Sequence, residues 1–393
     1  MKMTKTIAKI ALLILFSAAA FAQVDLKSLD EKQLHTLQQQ IQKELDLREA
    51  QKQAALPDSP EMQEFMAYEA AVAAVESAVQ KKDRAAFDTA YKTAMSVKKS
   101  EIPEAKAAEF DALTARLNAA LPNTPANSEK DFKVELTKDE NGVVITGIKE
   151  EAVAGVWIGG HPIGKPVVIP SEIQGMPVRS INLSHHTERF DGRASIFIVP
   201  EGVKNVYIET TIASEIKELR LSEGVEFLTI RASESKLGKI NFPSTLKIVH
   251  GFLSCEYLET SEFVIPEGVL IWACNLVHSG RRDYAEEYVP NIKKLVLPKS
   301  VYFEGGSSGI FPDLRCGGTL EDVVVPNGAE YSCNTSSDAR TLENLCGKFD
   351  SLAVQKKLRN TVFKRRDMNA AEKAAVSEYA NWLGKRYIIW YRL

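Results

Sequence analysis

The chain has 393 residues, 45 % hydrophobic and 26 % charged, a composition that supports a substantial core and excludes a disordered polymer. Its formal charge of −3 hides a division: residues 1–22 carry +3, 23–122 carry −4, 123–346 carry −9 and 347–393 carry +7. An acidic body with one basic end argues against nucleic acid as a partner, since it lacks a broad positive face.

Lys2, Lys5 and Lys9 precede the apolar run Ile10–Phe16, and Ala20-Phe21-Ala22 supplies small residues before Gln23. This pattern predicts a signal peptide over 1–22, because the apolar stretch falls short of the roughly 20 residues that span a bilayer. From Ser28 to Leu121 the pattern is helical. Ser28-Leu29-Asp30-Glu31 forms a capping box followed by Leu34, Leu37, Ile41 and Leu45 at helical spacing. Ser59-Pro60 opens a second helix with Met62, Phe65, Met66, Val72, Val75 and Val79 on one face. Asp83 caps a third with Phe87, Tyr91, Ala94 and Val97 inward, and a fourth shows Phe110, Leu113, Leu117 and Leu121. Four helices with short connections imply a bundle or a helical arm, and the Gln-rich first helix leaves an oligomer through these helices open.

Residues 122–131, rich in Pro, Asn and Ser, read as a linker. Asp131–Leu136 and Val143–Ile148 are strand-like and joined through Asp139-Glu140-Asn141-Gly142, in which Asn-Gly favours a tight hairpin. Seven copies of one phrase follow: apolar, any, apolar, Pro (once Ser), two polar or small residues, apolar. They are anchored at Pro170, Pro200, Ser222, Pro243, Pro266, Pro298 and Pro326, which lie 30, 22, 21, 23, 32 and 28 residues apart. Alternating residues before each anchor, such as Leu219 and Leu221, face a core together, and the Pro ends the strand. Glu201-Gly202, Glu223-Gly224 and Glu267-Gly268 supply turns. One unit cannot bury its own apolar face but a stack can, with the hairpin covering its first end. The longer intervals contain insertions at Trp272–Val289 and Val301–Cys316, where long loops on a rigid frame carry specificity; Arg281, Arg282, Tyr284 and Tyr288 are the candidate protein contacts.

A further apolar residue six before the anchor, Ile216, Leu237, Ile292 or Leu320, completes the spacing of a leucine-rich repeat. With Phe252-x-x-Cys255-x-x-Leu258, the segment Val167–Val178 and the strand Asn141–Gly147, the chain resembles the BspA-like, treponemal-type leucine-rich repeat proteins over about 132–330. The resemblance implies a surface-exposed or secreted binding protein, in some cases an adhesin. The helical region and the basic C-terminus lie outside it.

Residues 347–393 change composition. Leu352, Ala353, Leu358 and Val362 suggest one helix, and Asn369-Ala370-Ala371-Glu372 starts another with Ala375, Tyr379, Trp382 and Leu383 on one side. The end, Arg386–Arg392, is aromatic and basic. It suits either a cap docked on the last repeat or attachment to an anionic envelope surface.

The five cysteines, Cys255, Cys274, Cys316, Cys333 and Cys346, form no Cys-x-x-Cys spacing; a disulfide is open, and Cys255 reads as a small buried thiol. Gly305-Gly306-Ser307-Ser308-Gly309 matches G-x-S-x-G without its strand-to-helix context. His185-His186 with Glu188 and Asp191 lacks a second ligand cluster, and His161 and His250 are isolated. No catalytic, metal or cofactor site follows from these spacings. The fold expected is α+β and multidomain: signal peptide 1–22, helical domain 23–121, linker 122–131, hairpin-capped repeat solenoid 132–346 and basic helical segment 347–393. The function expected is that of an exported, non-enzymatic protein that binds a protein or extracellular-matrix ligand at the cell surface, with a periplasmic scaffold as the alternative.

Overall fold

The computed structural model describes residues 31–54, 58–153, 156–158, 161–184, 187–211, 214–232, 236–254, 257–277, 291–304, 314, 316, 320–333, 343, 346, 351–361 and 363–383. The chain divides into two compact units, Met1–Ser77 with Thr89–Ala120, and Ala78–Asp88 with Leu121–Leu393. No described helix is long and apolar enough to cross a membrane. The proposed signal peptide and the Ser28–Asp30 part of the first capping box lie outside the described residues.

The helices of the first part of the chain are α1 (Glu31–Ala54), α2 (Pro60–Lys81), α3 (Arg84–Ser96) and α4 (Ala107–Ala120), followed by the single turn α5 (Glu150–Val153). Ser59 caps α2 by accepting from the Met62 N–H at 3.1 Å, and Asp83 caps α3 by accepting from the Ala86 N–H at 3.0 Å. In the first unit Phe65, Tyr68, Val72 and Val75 of α2 are buried, as are Tyr91 and Ala94 of α3, Val97 just after it, and Phe110, Leu113 and Leu117 of α4. Met66, expected to face inward, is 56 % exposed, and Tyr68 takes the place instead. Its ring stacks on Phe110 at 4.3 Å and its hydroxyl bonds Thr114 at 2.8 Å, so an amphipathic side chain fills a site that a one-stripe count gave to Met66.

In the second unit each full repeat contributes two strands. The phrase itself forms the first, seen in Lys165–Val168, Arg193–Ile198, Glu215–Arg220 and Lys236–Ile240, which pair in one parallel sheet. Glu262–Val264, Lys294–Val296 and Asp322–Val324 pair in a second. After each phrase the chain turns, with Gly202, Gly224 and Gly268 at φ +88, +102 and +90°, a region open to glycine at little cost. It then forms a second strand, one of those that build the long sheet. These, Met176–Leu183, Asn205–Glu209, Phe227–Ala232, Ile248–Ser254, Ile271–Val277, Ser300–Phe303 and Glu330–Cys333, make the parallel body of an 11-stranded sheet. The apolar residues of both strand types meet in one continuous core that includes Leu219, Leu221, Leu228, Ile230, Leu253, Leu295 and Leu297. Ile216, Leu237, Ile292 and Leu320 are buried in it as well.

The hairpin strands Phe132–Leu136 and Val143–Ile148 pair antiparallel, and the second pairs with Met176–Leu183, which places the hairpin at one edge of the large sheet. Its turn departs from the Asn-Gly expectation. Glu140 takes the left-handed conformation at φ +58° and its N–H donates to the Thr137 carbonyl, while Gly142 has no positive φ and its carbonyl accepts the Thr137 N–H. The loop is thus a turn over Thr137–Glu140 that ends on a left-handed residue, as longer hairpin loops do.

The linker composition at 122–131 conceals a specific device. Asn127 donates its N–H to the Val168 carbonyl and accepts the Val168 N–H on its side-chain oxygen, both at 2.8 Å, so it satisfies the outer backbone groups of the first phrase strand. Arg84 fixes it by donating to that same oxygen at 2.8 Å and to the Pro125 and Pro166 carbonyls. Asn241 repeats the arrangement between stacked repeats, bonding both the N–H and the carbonyl of Leu221.

Two further expectations are corrected. Residues Trp272–Val277 and Val301–Phe303, assigned to insertions, are sheet strands, and Trp272 is fully buried with its indole N–H donating to the Cys274 carbonyl at 2.7 Å. At the C-terminus α6 (Leu352–Asn360) buries Leu358, but Leu352 is 86 % exposed and Ala353 is exposed, because Leu352 begins the helix immediately after its Ser351 cap. Lys364–Arg365 then adds a strand beside Glu330–Cys333.

Candidate functional site

In the long strands, residues of one parity enter the core and those of the other parity form a second face. Their register sets them in rows across the sheet. The first row runs Ser180, Asn205, Phe227, Ile248, Ile271, Tyr302, Ser332. The second runs Asn182, Tyr207, Thr229, His250, Ala273, and the third Glu209, Arg231, Phe252, Asn275. In the four repeats anchored at Pro200, Ser222, Pro243 and Pro266 these rows sit 5, 7 and 9 residues beyond the anchor.

Helix α7 (Ala370–Leu383) covers the first row. Ala375, Val376 and Tyr379 cluster with Phe227, Ile248, Ile271 and Tyr302, and Trp382 and Leu383 pack at the margin. The helix crosses the middle strands, because there the outward residues are apolar. The Asn369–Glu372 capping box is complete, with Glu372 N–H to Asn369 Oδ1 at 2.9 Å and Asn369 N–H to Glu372 Oε2 at 2.7 Å. Glu372 also receives Arg366 in a two-pronged pair, both bonds 2.6 Å, while Arg366 stacks over Tyr302 at 5.2 Å. Lys204 pairs with Glu378, and Lys138 donates to the Asn381 carbonyl at 2.8 Å. Tyr379 reaches the second row, bonding Thr229 and approaching His250 Nδ1 at 3.3 Å.

The second and third rows extend beyond the helix. Arg231 lies between the rings of Tyr207 and Phe252, 6.0 and 5.8 Å from their centroids. Glu209 pairs with Arg189 at 3.1 Å and accepts from the Tyr207 hydroxyl at 3.4 Å. None of this group was singled out as a contact in the sequence; the signal was the fixed offset from the anchors. On the opposite side of the unit, the two phrase-strand sheets stay separate between Lys236–Ile240 and Glu262–Val264, leaving an open cleft of about 430 Å³ lined by Ile240, Phe242, Leu258 and Phe263.

Two titrating groups lie on the second face, and their effects oppose. Burial, and secondarily the charge of Arg231, lowers the His250 pKa to about 4. Its unfolded value is about 6.5, so the stability gained by keeping it neutral is full above pH 6.5 and is lost as pH falls toward 4. Burial pushes Glu304 up to about 7 from 4.5, so its contribution is full below pH 4.5 and is lost as pH rises through 7. Between pH 4.5 and 6.5 the two slopes, each about 1.4 kcal/mol per pH unit, cancel. Relative to the parent, Glu304→Gln is expected to lose about 2 kcal/mol more on acidification across that window, and His250→Gln to gain a similar amount. Urea midpoints at pH 4.5, 5.5 and 6.5 check this, and parallel profiles for all three proteins would sink it.

Arg281, Arg282, Tyr284 and Tyr288 lie outside the described residues, as do Cys255, His185, His186, the Gly305–Gly309 motif and the Arg386–Arg392 end. The side chain of His161 does too. Glu188 pairs with Lys133 at 2.7 Å and Asp191 accepts from Thr211 at 2.8 Å, so each has a structural partner. Among the described residues, no group of three or more His, Cys, Asp or Glu is placed to hold a metal ion. Cys274, Cys316, Cys333 and Cys346 are buried, and burial drives the Cys274 thiol far up, which removes its reactivity at neutral pH.

No family model and no curated protein matches the sequence. The crystal structure of a leucine-rich repeat protein from T. pallidum is similar to this chain at 17 % identity, over 61 % of this chain and 98 % of that one, with a TM-score of 0.37.

Proposed function

We propose that this chain is an exported, non-enzymatic repeat protein that binds other proteins through the second face of its long sheet, in the manner of BspA-like surface proteins. One observation carries the reading. The long parallel strands hold their register from Met176–Leu183 to Ile271–Val277, so the second and third rows offer side chains at strand spacing on a rigid frame. Such a frame gathers affinity from several modest contacts around a few anchors rather than from one deep pocket. The leader pattern at 1–22 supports export, and the basic aromatic end at 386–392 supports contact with an anionic envelope surface. The partner class is a protein or extracellular-matrix ligand. Arg281, Arg282, Tyr284 and Tyr288 belong to this proposal as additional contacts, since their segment follows directly on the Ile271–Val277 strand.

Protease treatment of intact cells tests the location. Loss of the repeat unit from a blot of whole cells is the expected result. Complete protection, with cleavage only after the outer layer is opened, would overturn surface display and leave a periplasmic scaffold.

A further inference from the structure

Most half-buried arginines in the repeat unit have an acceptor. Arg84 bonds Asn127, Pro125 and Pro166; Arg193 pairs with Glu215, Arg220 with Glu218, and Arg366 with Glu372. Arg231 is different. Its Nε is buried without a hydrogen-bond partner, and among the described residues no acceptor bonds its guanidinium. The carboxylate beside it in the row, Glu209, is already held by Arg189 and the Tyr207 hydroxyl. The facing His250 is neutral at neutral pH. Among the described residues, then, the Arg231 guanidinium is set between two aromatic rings on this face with no acceptor bound.

A half-buried guanidinium whose Nε is out of water and unpaired is unfavourable in the free protein. The cation–π contacts on Tyr207 and Phe252 offset part of that, and they also hold the guanidinium plane in place, which lowers the entropy lost when a ligand binds. A planar fork of donors matches the two oxygens of a carboxylate. The Ser254 hydroxyl, two residues beyond Phe252 on the same strand, is likewise buried without a partner. The surroundings limit the ligand further. Residues 123–346 carry −9, which repels a polyanion at long range, whereas a single carboxylate at contact responds to Arg231 within the roughly 8 Å screening length of physiological salt.

We propose that Arg231, gripped by Tyr207 and Phe252, is the anchor for one carboxylate of a protein partner: an Asp or Glu side chain presented by a segment that is otherwise not acidic. This rests on the protein-binding reading above and names the chemistry its partner must bring.

The test selects 12-residue peptides from a random library on the full secreted chain, then measures the selected peptides against Arg231→Met and Arg231→Lys. The expected result is peptides sharing one acidic residue, each losing at least tenfold in affinity when that residue becomes Asn or Gln, or when Arg231 becomes Met. Lys should recover part of the loss, since it keeps the charge without the fork. Arg231→Met should melt no lower than the parent, because it removes a charge without a partner; a large drop in its melting point would assign Arg231 a structural role and overturn the proposal. Peptides that bind with no preference for an acid, or equally well to Arg231→Met, would overturn it and leave protein binding standing. Failure to select any peptide would remove both. Inorganic phosphate competing better than N-acetyl-aspartate N-methylamide would reassign the site to a phosphate group and likewise overturn the proposal.

Discussion

Replacing Gly251 with Ala is expected to destabilise the repeat unit by about 3 kcal/mol or more. Gly251 lies within the long strand Ile248–Ser254, opposite Ile230 on one neighbour and Cys274 on the other. Its φ of +115° is a conformation that a side chain resists, and an added Cβ would lie 1.9 Å from the Ile230 carbonyl oxygen. That obstacle is backbone, so no rotamer change relieves it; the two strands must separate or shift. The same registration aligns Arg231 with Phe252 and Thr229 with His250, so the damage falls on the rows of the second face. Gly224→Ala is the control. It also has a positive φ, +102°, but nothing lies within 4 Å of the added carbon, so only the strain of about 1 kcal/mol applies. Urea unfolding followed by the circular dichroism of the sheet compares them, and equal midpoints for the two variants would refute the steric argument.

Arg366→Met has a comparable effect confined to the C-terminal helix. Glu372 is 4 % exposed, and loss of its guanidinium partner strands a buried carboxylate with the Asn369 N–H as its remaining donor, at a cost of about 3 kcal/mol. Amide exchange across Ala370–Leu383 should accelerate by about a hundredfold while the sheet core stays protected, since local opening follows local free energy. Adding Glu372→Gln should restore most of the protection, because Gln preserves the capping box without a charge. Unchanged exchange in the single variant would show that apolar contact with Phe227, Ile248 and Ile271 is sufficient to hold the helix. Detachment would bare that apolar row, so the single variant should also bind a hydrophobic dye.

The difference between the phrase strands and the long strands has a physical origin. In Glu215–Arg220 or Lys294–Val296 one face is buried and the other wet, so apolar residues alternate with charged ones and the pattern is readable. Phe227–Ala232 is covered by the core on one face and by α7 and neighbouring side chains on the other, and five of its six residues are buried. Alternation disappears when both faces are dry. The same effect hid Ile271–Val277, whose Trp272 reads as an exposed loop aromatic until the core closes on it. Asn127 was misleading for the opposite reason: a polar residue among prolines reads as a linker, and its role exists only where Val168 offers a free N–H and carbonyl. Arg231 carried no local mark at all, because its significance is the absence of a partner on three different strands.

The sequence by itself determined the repeat unit, the turns at Gly202, Gly224 and Gly268, the apolar core of the phrase strands, and the helices with their Ser59, Asp83 and Asn369 caps. Each of these depends on residues within about seven positions of one another, where spacing and backbone preference act directly. Only the tertiary structure decided the long sheet, the course of α7 across its middle and, among the described residues, the Arg231 guanidinium left without an acceptor. Those depend on which rows register across strands some 20 residues apart, and on which carboxylates are already taken.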